Sequence, residues 1–237
     1  MSISSRPFPG IGNRIRQALL AQDCILCQSA CGDRLLCEAC ERELPASACA
    51  CPRCAAAVLG DTECGACLAN PPHYDASRAA FVYTYPVDAL VQALKYGGQL
   101  ALAGFFAHRL QQRIGPAAGI DLIVPLPLHP LRLAERGFNQ AAEIARALSR
   151  ASGIRMDARV GRRVRNTAPQ TGLPWRERAA NMRQAFSCER DLAGLNVAVV
   201  DDVMTTGATL NEFARTLKQS GAKRVHNWIV ARTPPGV

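Results

Sequence analysis

The stretch from Val197 to Leu210 constrains the fold of this chain more than any other part of its sequence. It reads Val-Ala-Val-Val-Asp-Asp-Val-Met-Thr-Thr-Gly-Ala-Thr-Leu and follows the turn-like Gly194-Leu195-Asn196. The four leading apolar residues predict a short strand that is buried on both faces. Asp201 and Asp202 come next, at the carboxyl end of that strand, which is the edge where open α/β sheets bind ligands. The stretch therefore predicts an α/β fold with two carboxylates at the ligand-binding edge of its sheet.

A loop of small and hydroxylated residues follows the two acids. It offers three hydroxyls and one flexible glycine, and its members are Thr205, Thr206, Gly207, Ala208 and Thr209. Apolar residues then recur at helical spacing as far as Ser220-Gly221, so the loop lies at a helix N-terminus, where free N–H groups favour an anion. Carboxylates beside such a loop fit a ligand that carries a sugar diol and a phosphate, directly or with Mg²⁺. The alternative is a core strand followed by a polar turn.

The composition is that of a globular protein that binds an anionic partner. The chain has 237 residues, 49% of them hydrophobic, which suffices for one full-sized domain and a smaller one. Its net charge of +9 favours a phosphorylated sugar or a nucleic acid without choosing between them. No apolar run approaches the roughly 20 residues that span a bilayer, and Arg14 and Arg16 interrupt the apolar patch of the N-terminal helix or tail, residues 1–20. We therefore expect a cytoplasmic protein without a membrane span.

The cysteines of the N-terminal part follow a repeated spacing. Eight of the eleven form four Cys-x-x-Cys pairs, which are Cys24/Cys27, Cys37/Cys40, Cys51/Cys54 and Cys64/Cys67. Nine residues separate the pairs within each half, and the halves are offset by 27 residues, which indicates an internal duplication. Because two Cys-x-x-Cys turns supply four thiolates to one tetrahedral ion, the pattern predicts two structural Zn²⁺ sites in a double zinc ribbon over 21–70. A disulfide-rich secreted module is the alternative.

The grouping of these cysteines remains open from the sequence. Consecutive pairs sharing one ion are the default assignment, and a crossed arrangement, first pair with third, is the alternative. Cys31 and Cys49 fall outside the pattern and are interpreted as spare ligands or buried thiols. A break at 70–73, Asn-Pro-Pro-His, separates this region from a second domain over 75–237.

The second domain begins with a predicted strand from Ala79 to Tyr85 and a helix from Val87 to Leu94. The helix ends at Lys95-Tyr96-Gly97-Gly98, a corner that can bring an ammonium group to a phosphate. The alternative is an ordinary helix end with a basic cap.

A further buried strand is predicted over 119–124, followed by a proline-rich exit and a helix from Ala141 to Leu148. Arg132 and Arg136 lie between them. Because guanidinium groups match phosphate oxygens and remain charged, this loop is interpreted as a pyrophosphate site.

Seven arginines lie between Arg159 and Arg183, in a segment without apolar periodicity at its centre. The segment is interpreted as a basic lid over pyrophosphate or, alternatively, as a linker. Trp175 and Phe138 either stack a base or pack in the core.

The stretch around Asp201 and Asp202 resembles the phosphoribosyl pyrophosphate signature of type I phosphoribosyltransferases. Four segments together resemble the ComF family, and they are Leu94-Lys95-Tyr96-Gly97, Arg136-Gly137-Phe138-Asn139-Gln140, Thr167 to Asn181 with Gln170 and Arg178, and Val199 to Thr209. The resemblance implies a phosphoribosyltransferase-like domain with a twisted, mainly parallel sheet flanked by helices, behind a zinc head. It also implies a role in DNA uptake and natural transformation.

Two functions are compatible with these features. The first is transfer of ribose 5-phosphate from phosphoribosyl pyrophosphate to an acceptor. Asp201 and Asp202 would hold the ribose, residues 205–209 with Gln170 and Arg178 the substrate, and Lys95 and Arg136 with Mg²⁺ the leaving pyrophosphate. The second is a non-catalytic competence module that binds single-stranded DNA, or proteins of the competence machinery, through its arginine-rich loop and zinc head.

Overall fold

We describe residues 22–60, 62–116, 119–165 and 184–234 in a computed structural model of the chain. Two compact units make up the chain, Met1–Leu44 and Pro45–Val237. The first cysteine group therefore belongs to the smaller unit and the second to the larger one. The sequence-predicted division into 21–70 and 75–237 stays a prediction.

The smaller unit contains two short strands and one short helix. Strands β1 (Gln22–Asp23) and β2 (Ala30–Gly32) pair antiparallel, and helix α1 (Glu38–Arg42) follows. Cys37 caps α1, since its sulfur accepts a hydrogen bond from the amide of Cys40 at 3.5 Å. The fold here is small, and it is organised around its cysteines.

The larger unit is built on a four-stranded parallel sheet. Its strands are β3 (Ala76–Val82), β4 (Leu122–Pro125), β7 (Asn196–Met204) and β8 (Arg224–Arg232), in the order β3-β8-β7-β4. All three strand pairs are parallel, so the four carboxyl ends meet at one edge. This confirms the predicted α/β class with a mainly parallel sheet.

Helices flank this sheet. Within the described ranges they are α2 (Gly65–Ala69), α3 (Val87–Tyr96), α4 (Ala101–Ile114), α5 (Pro130–Arg136), α6 (Gln140–Ser152) and α7 (Ala208–Gln219). Helices α4 and α6 pack on each other and on the sheet, while α7 contacts β8 and the antiparallel ribbon of β5 (Gly161–Arg163) and β6 (Phe186–Cys188). None of the described helices is long and apolar enough to cross a bilayer.

Strand β7 is buried on both of its faces, as the sequence predicts. Val197 and Val199 share a core with Phe213 of α7. Ala198 and Val200 are equally inaccessible and, because successive side chains alternate, lie on the other face. The strand runs on to Met204, whose Cα lies opposite that of Arg232, so the two acids are inside the strand rather than beyond its end.

Other boundaries also differ from the predicted ones. The first strand of the sheet begins three residues earlier than predicted and ends at Val82, and β4 spans only Leu122–Pro125. Helix α4 and strand β8 were missing from the prediction. Since β8 is an inner strand of the sheet, its absence is the larger omission.

Candidate functional site

Asp201 and Asp202 are buried near the carboxyl end of β7. Their residues are only 8% and 4% exposed. Each carboxylate accepts a hydrogen bond from the next amide, that of Asp202 at 2.9 Å and that of Val203 at 2.8 Å. One oxygen of each acid is thereby fixed, which holds both side chains in place next to the loop that follows.

Lys95, in the last turn of α3, is the counter-ion of this acid pair. Its Nζ lies 2.5 Å from Asp202 Oδ2, and its side chain is 17% exposed. Burial would lower the pKa of Lys95, but the charge of Asp202 outweighs burial and raises it. The sequence placed Lys95 near a phosphate, and the structure shows it next to a carboxylate.

The two acids titrate in opposite directions. Burial raises the pKa of the Asp201 carboxyl well above its usual range, and neighbouring Asp202 adds to this rise. Burial acts on Asp202 as well, but the Lys95 ammonium offsets it and the pKa of Asp202 is lowered. The pair therefore holds a proton, on Asp201, more readily than two isolated carboxyls would.

The loop after β7 leads directly into α7 and presents free backbone donors. Gly207 precedes the helix with φ of +80°, in the left-handed region. Among the described residues, the amides of Thr205, Thr206 and Gly207 have no hydrogen-bond acceptor, whereas the amide of Ala208 donates to Thr206 Oγ1 at 3.4 Å. Free amides at the start of a twelve-residue helix form a site that favours an anion.

Gly207 is required here by packing as well as by backbone conformation. A β-carbon at this position would lie 2.6 Å from Met204 Cε and 3.1 Å from Tyr74 Oη. We expect Gly207→Ala to lower the free energy of unfolding by about 2–4 kcal/mol, because left-handed strain and overpacking add. Gly153→Ala is the matched control in urea unfolding, since φ there is +74° and a β-carbon meets nothing within 4 Å. Equal losses for the two variants would contradict the packing argument.

A pocket of about 540 Å³ lies beside the acid pair. It is lined by Lys95, Tyr96, Gly98, Arg132, Glu135, Arg136 and Phe138. The guanidinium of Arg136 lies over the Tyr96 ring, 5.0 Å from its centroid, and donates to Gln140 Oε1 at 2.5 Å. Lys95 thus joins the acids to a cationic pocket that also contains the second predicted pyrophosphate residue, Arg136.

The eight paired cysteines form two groups of four, and consecutive pairs share a group. One group is Cys24, Cys27, Cys37 and Cys40, the other is Cys51, Cys54, Cys64 and Cys67, and within each the sulfurs lie within 4.8 Å of one another. The Cys27–Cys37 and Cys54–Cys64 sulfur distances are 3.6 and 3.7 Å. Zn–S bonds of about 2.3 Å place tetrahedral sulfurs about 3.8 Å apart. Both groups therefore fit a tetrahedral metal ion, and the crossed grouping does not occur.

The remaining cysteines lie outside these groups, and none of the eleven forms a disulfide. Cys31 donates to the carbonyl oxygens of Gln22 and Arg34 at 3.2 and 2.8 Å. Cys49 is exposed, and Cys188 is half-buried. Their contacts assign no chemistry to them.

Comparison with known proteins identifies the family. The model of the phosphoribosyl transferase domain matches residues 132–236. DNA utilization protein YhgH of Salmonella typhimurium is 35% identical over 205 residues, which cover 84% of this chain and 90% of that protein. Competence protein F of Haemophilus influenzae is 34% identical over 178 residues, which cover 71% of this chain and 78% of that protein. The chain belongs to the ComF family.

Solved structures resemble this ComF protein only distantly. One is the allosteric regulatory enzyme of purine biosynthesis, with 22% identity and a TM-score of 0.37. The match covers 55% of this chain and a quarter, 25%, of that one.

Some predicted site residues of this ComF protein are not among those described. Gln170, Arg178, Trp175 and Asn181 lie between 166 and 183, outside the described residues. Asp201, Asp202 and Lys95 come together, and the loop of 205–209 follows them directly. The predicted roles of all these residues stay predictions.

Two residues beside the loop were missing from the prediction. Tyr74 is buried with Met204, and Arg232 donates to the backbone of the loop. The sequence marks neither of them, because their partners in the loop are far away along the chain.

Proposed function

We propose that this ComF protein binds phosphoribosyl pyrophosphate with Mg²⁺ and transfers ribose 5-phosphate to an acceptor, releasing pyrophosphate. The observation that carries the proposal is the position of Lys95, which pairs with Asp202 and also lines the pocket with Arg132 and Arg136. A diol site and a cationic pocket thereby share one residue. The two ends of a ribose carrying pyrophosphate at C1 need such neighbouring sites.

The phosphate at C5 of the ribose would bind to the loop. Its oxygens would accept hydrogen bonds from the free amides of Thr205, Thr206 and Gly207, supported by the start of α7. The hydroxyls of Thr205 and Thr206 would add donors. This part of the site binds and orients the sugar.

The acid pair would receive the ribose hydroxyls. Two carboxylates accept hydrogen bonds from a vicinal diol, and their oxygens also suit Mg²⁺. Since Asp201 holds its proton more tightly than an ordinary carboxyl, a ligand that requires its ionised form must displace that proton. Binding is therefore expected to strengthen as the pH rises through the raised pKa of Asp201.

The cationic pocket would stabilise the leaving group. Transfer breaks the bond from C1 to the pyrophosphate oxygen and forms a bond from C1 to the acceptor, which gives up a proton. Negative charge collects on pyrophosphate as positive charge develops on the sugar, so the fixed cations Lys95 and Arg136 favour the transition state. Mg²⁺ bound to pyrophosphate would neutralise further charge.

Calorimetry with phosphoribosyl pyrophosphate and Mg²⁺ tests this assignment. We expect Asp201→Asn to raise Kd about ten- to a hundredfold and to remove its pH dependence, because the hydrogen bonds to an ionised group are lost. Asp121→Asn is the matched control, since Asp121 accepts from the amide of Asn196, at the amino end of β7. Equal affinity for the wild type and Asp201→Asn would remove the site assignment.

We also propose that each cysteine group binds Zn²⁺ and that the protein acts in the cytoplasm in DNA uptake. The names of the relatives, DNA utilization protein and competence protein F, support the process. The acceptor is the open part of the reaction, and a screen for pyrophosphate release across nucleobases identifies it. If no nucleobase causes pyrophosphate to be released, the remaining function is binding of phosphoribosyl pyrophosphate without transfer.

A further inference from the structure

Arg232, the last residue of β8, connects the second cysteine group to the phosphate loop. Its Nε donates to the carbonyl oxygen of Cys54 at 3.1 Å. Its Nη1 donates to the carbonyl oxygens of Met204, at 3.0 Å, and of Thr205. The guanidinium of Arg232 therefore holds backbone atoms of the Cys51–Cys54 turn and of the loop.

These contacts set the direction of the loop amides together with Thr233, whose amide donates to the carbonyl oxygen of Met204 at 3.1 Å. A trans peptide unit is planar, with its carbonyl and its N–H pointing in opposite directions. With the carbonyls of Met204 and Thr205 directed at Arg232, the N–H groups of Thr205 and Thr206 point away from it. These two amides are among the three in the loop that lack an acceptor in the described chain. Arg232 and the amide of Thr233 thus turn the free donors outward, and Arg232 is the side chain that holds both carbonyls through one nitrogen, Nη1.

The second cysteine group also packs beneath the loop. Cys51, Cys54 and Cys67 belong to one buried cluster with Tyr74 and Met204. These last two side chains occupy the space against Gly207. Gly207 therefore contacts two side chains that pack against the Cys51–Cys54 turn.

Further hydrogen bonds join the chain around this cysteine group to the elements that carry the site. The amide of Ser77 in β3 donates to the carbonyl oxygen of Pro52 at 3.0 Å, and Arg53 Nη1 donates to that of Tyr74 at 3.5 Å. The amide of His73 donates to Asn211 Oδ1, in the first turn of α7, at 2.6 Å. The cysteine group is thus attached to the helix that begins at the loop.

We propose that Arg232 is a positioning residue of the 5-phosphate site and that the second cysteine group is its fixed support. The ligand identity rests on the proposed function, whereas the orientation of the loop does not. The second cysteine group and the loop belong to the same unit, Pro45–Val237, whereas the first cysteine group belongs to the smaller unit.

The test compares Arg232→Gln with Arg113→Gln. Arg113 Nη2 donates to the carbonyl oxygen of Ala48 at 2.8 Å and so holds the segment before the second cysteine group without touching the loop. By calorimetry, we expect R232Q to raise Kd for ribose 5-phosphate about ten- to a hundredfold and to leave Kd for inorganic pyrophosphate within about twofold. R113Q should change neither. Unchanged affinity of R232Q for ribose 5-phosphate, or equal loss of both ligands, would overturn the proposal.

Amide NMR of the unliganded protein separates this inference from the proposed function. The signals of Thr205 and Thr206 should shift in R232Q and stay in place in R113Q. Cys64→Ser should shift them too, and Cys37→Ser should not. If C64S does not fold, R232Q decides. If the wild type binds no ribose 5-phosphate while these shifts occur, the function fails and the positioning role stands. Unshifted signals in R232Q refute that role.

Discussion

Replacing Asp202 with asparagine is expected to lower the free energy of unfolding at pH 7 by about 3–5 kcal/mol, because it leaves a buried ammonium without its counter-ion. The side chains of Lys95 and Asp202 are 17% and 6% exposed, so water replaces little of the lost interaction. An asparagine keeps the acceptor for the amide of Val203, which limits the change to the charge. Urea unfolding at equilibrium measures the loss.

The double variant Lys95→Met with Asp202→Asn is the control. Lys95→Met alone leaves the Asp202 carboxylate buried and unpaired and should cost about as much as D202N. Removing both charges should recover most of the stability, because the desolvation penalty of a buried ion pair nearly equals the free energy of its attraction. If the two single losses simply add in the double variant, the ion pair is not the source of the effect.

Asp201→Asn should act in the opposite direction. The pKa of Asp201 is raised in the folded protein, so its contribution to stability is present below the ordinary carboxyl pKa of about 3.9 and is lost as the pH rises through the raised value. Asparagine cannot ionise and avoids this loss. The advantage of D201N over the wild type should therefore grow from about pH 4 upward and then level off, while D202N stays destabilised at neutral pH.

The parts of the fold that the sequence predicted carry local signals. Strand β7 and helix α7 are predicted because an apolar run, a turn glycine and apolar residues at helical spacing follow one another in the sequence. Strand β8 contains Asn227 at its centre, which interrupts the apolar run. Its Nδ2 donates to Ser77 Oγ at 3.1 Å, from a residue 150 positions away, and this bond gives one of its two polar ends a partner in the core. No sequence window contains both partners.

Helix α4 escaped prediction for a different reason. Its N-cap is Leu100, whose side chain makes no capping bond, and Gly104 lies inside it. Both features weaken the local helical signal. The helix is stabilised by burial of Leu102, Phe106 and Leu110. Packing on the sheet and on α6 thus overrides a weak propensity.

The residues of the candidate site also differ in whether a local sequence signal predicts them. Lys95 and Arg136 are predicted because each lies in the last turn of a helix that is followed by glycine, a pattern visible within a few residues. Arg232 was not, because its partners Thr205 and Cys54 lie 27 and 178 residues away in the sequence. Motifs therefore indicate the groups that would touch a ligand, while tertiary structure alone reveals the residue that aims them.

Loss of the proposed Zn²⁺ from the second cysteine group is expected to destabilise the larger unit strongly. Cys51, Cys54 and Cys67 are buried in its core, so removal of an ion leaves polar sulfurs there and releases the turns that hold them. A structural Zn²⁺ supplies about 10 kcal/mol or more to the folding of small domains, a large share of the about 5–15 kcal/mol by which a domain is stable. Even if other interactions replace part of this free energy, the Tm of the larger unit should fall.

Cys64→Ser and Cys37→Ser form a matched pair for this prediction, because each residue precedes a short helix and occupies the same place in its group. Metal analysis should give two zinc ions per wild-type chain and one in either variant. Trp228 is buried in β8 of the larger unit, so its fluorescence follows the unfolding of that unit. We expect C64S to lower that Tm by about 10 °C or more, given about 2–4 °C per kcal/mol at this size, and C37S to leave it within about 2 °C. Equal shifts in both variants would contradict this prediction, which rests on the burial of Cys51, Cys54 and Cys67 in the core of the larger unit.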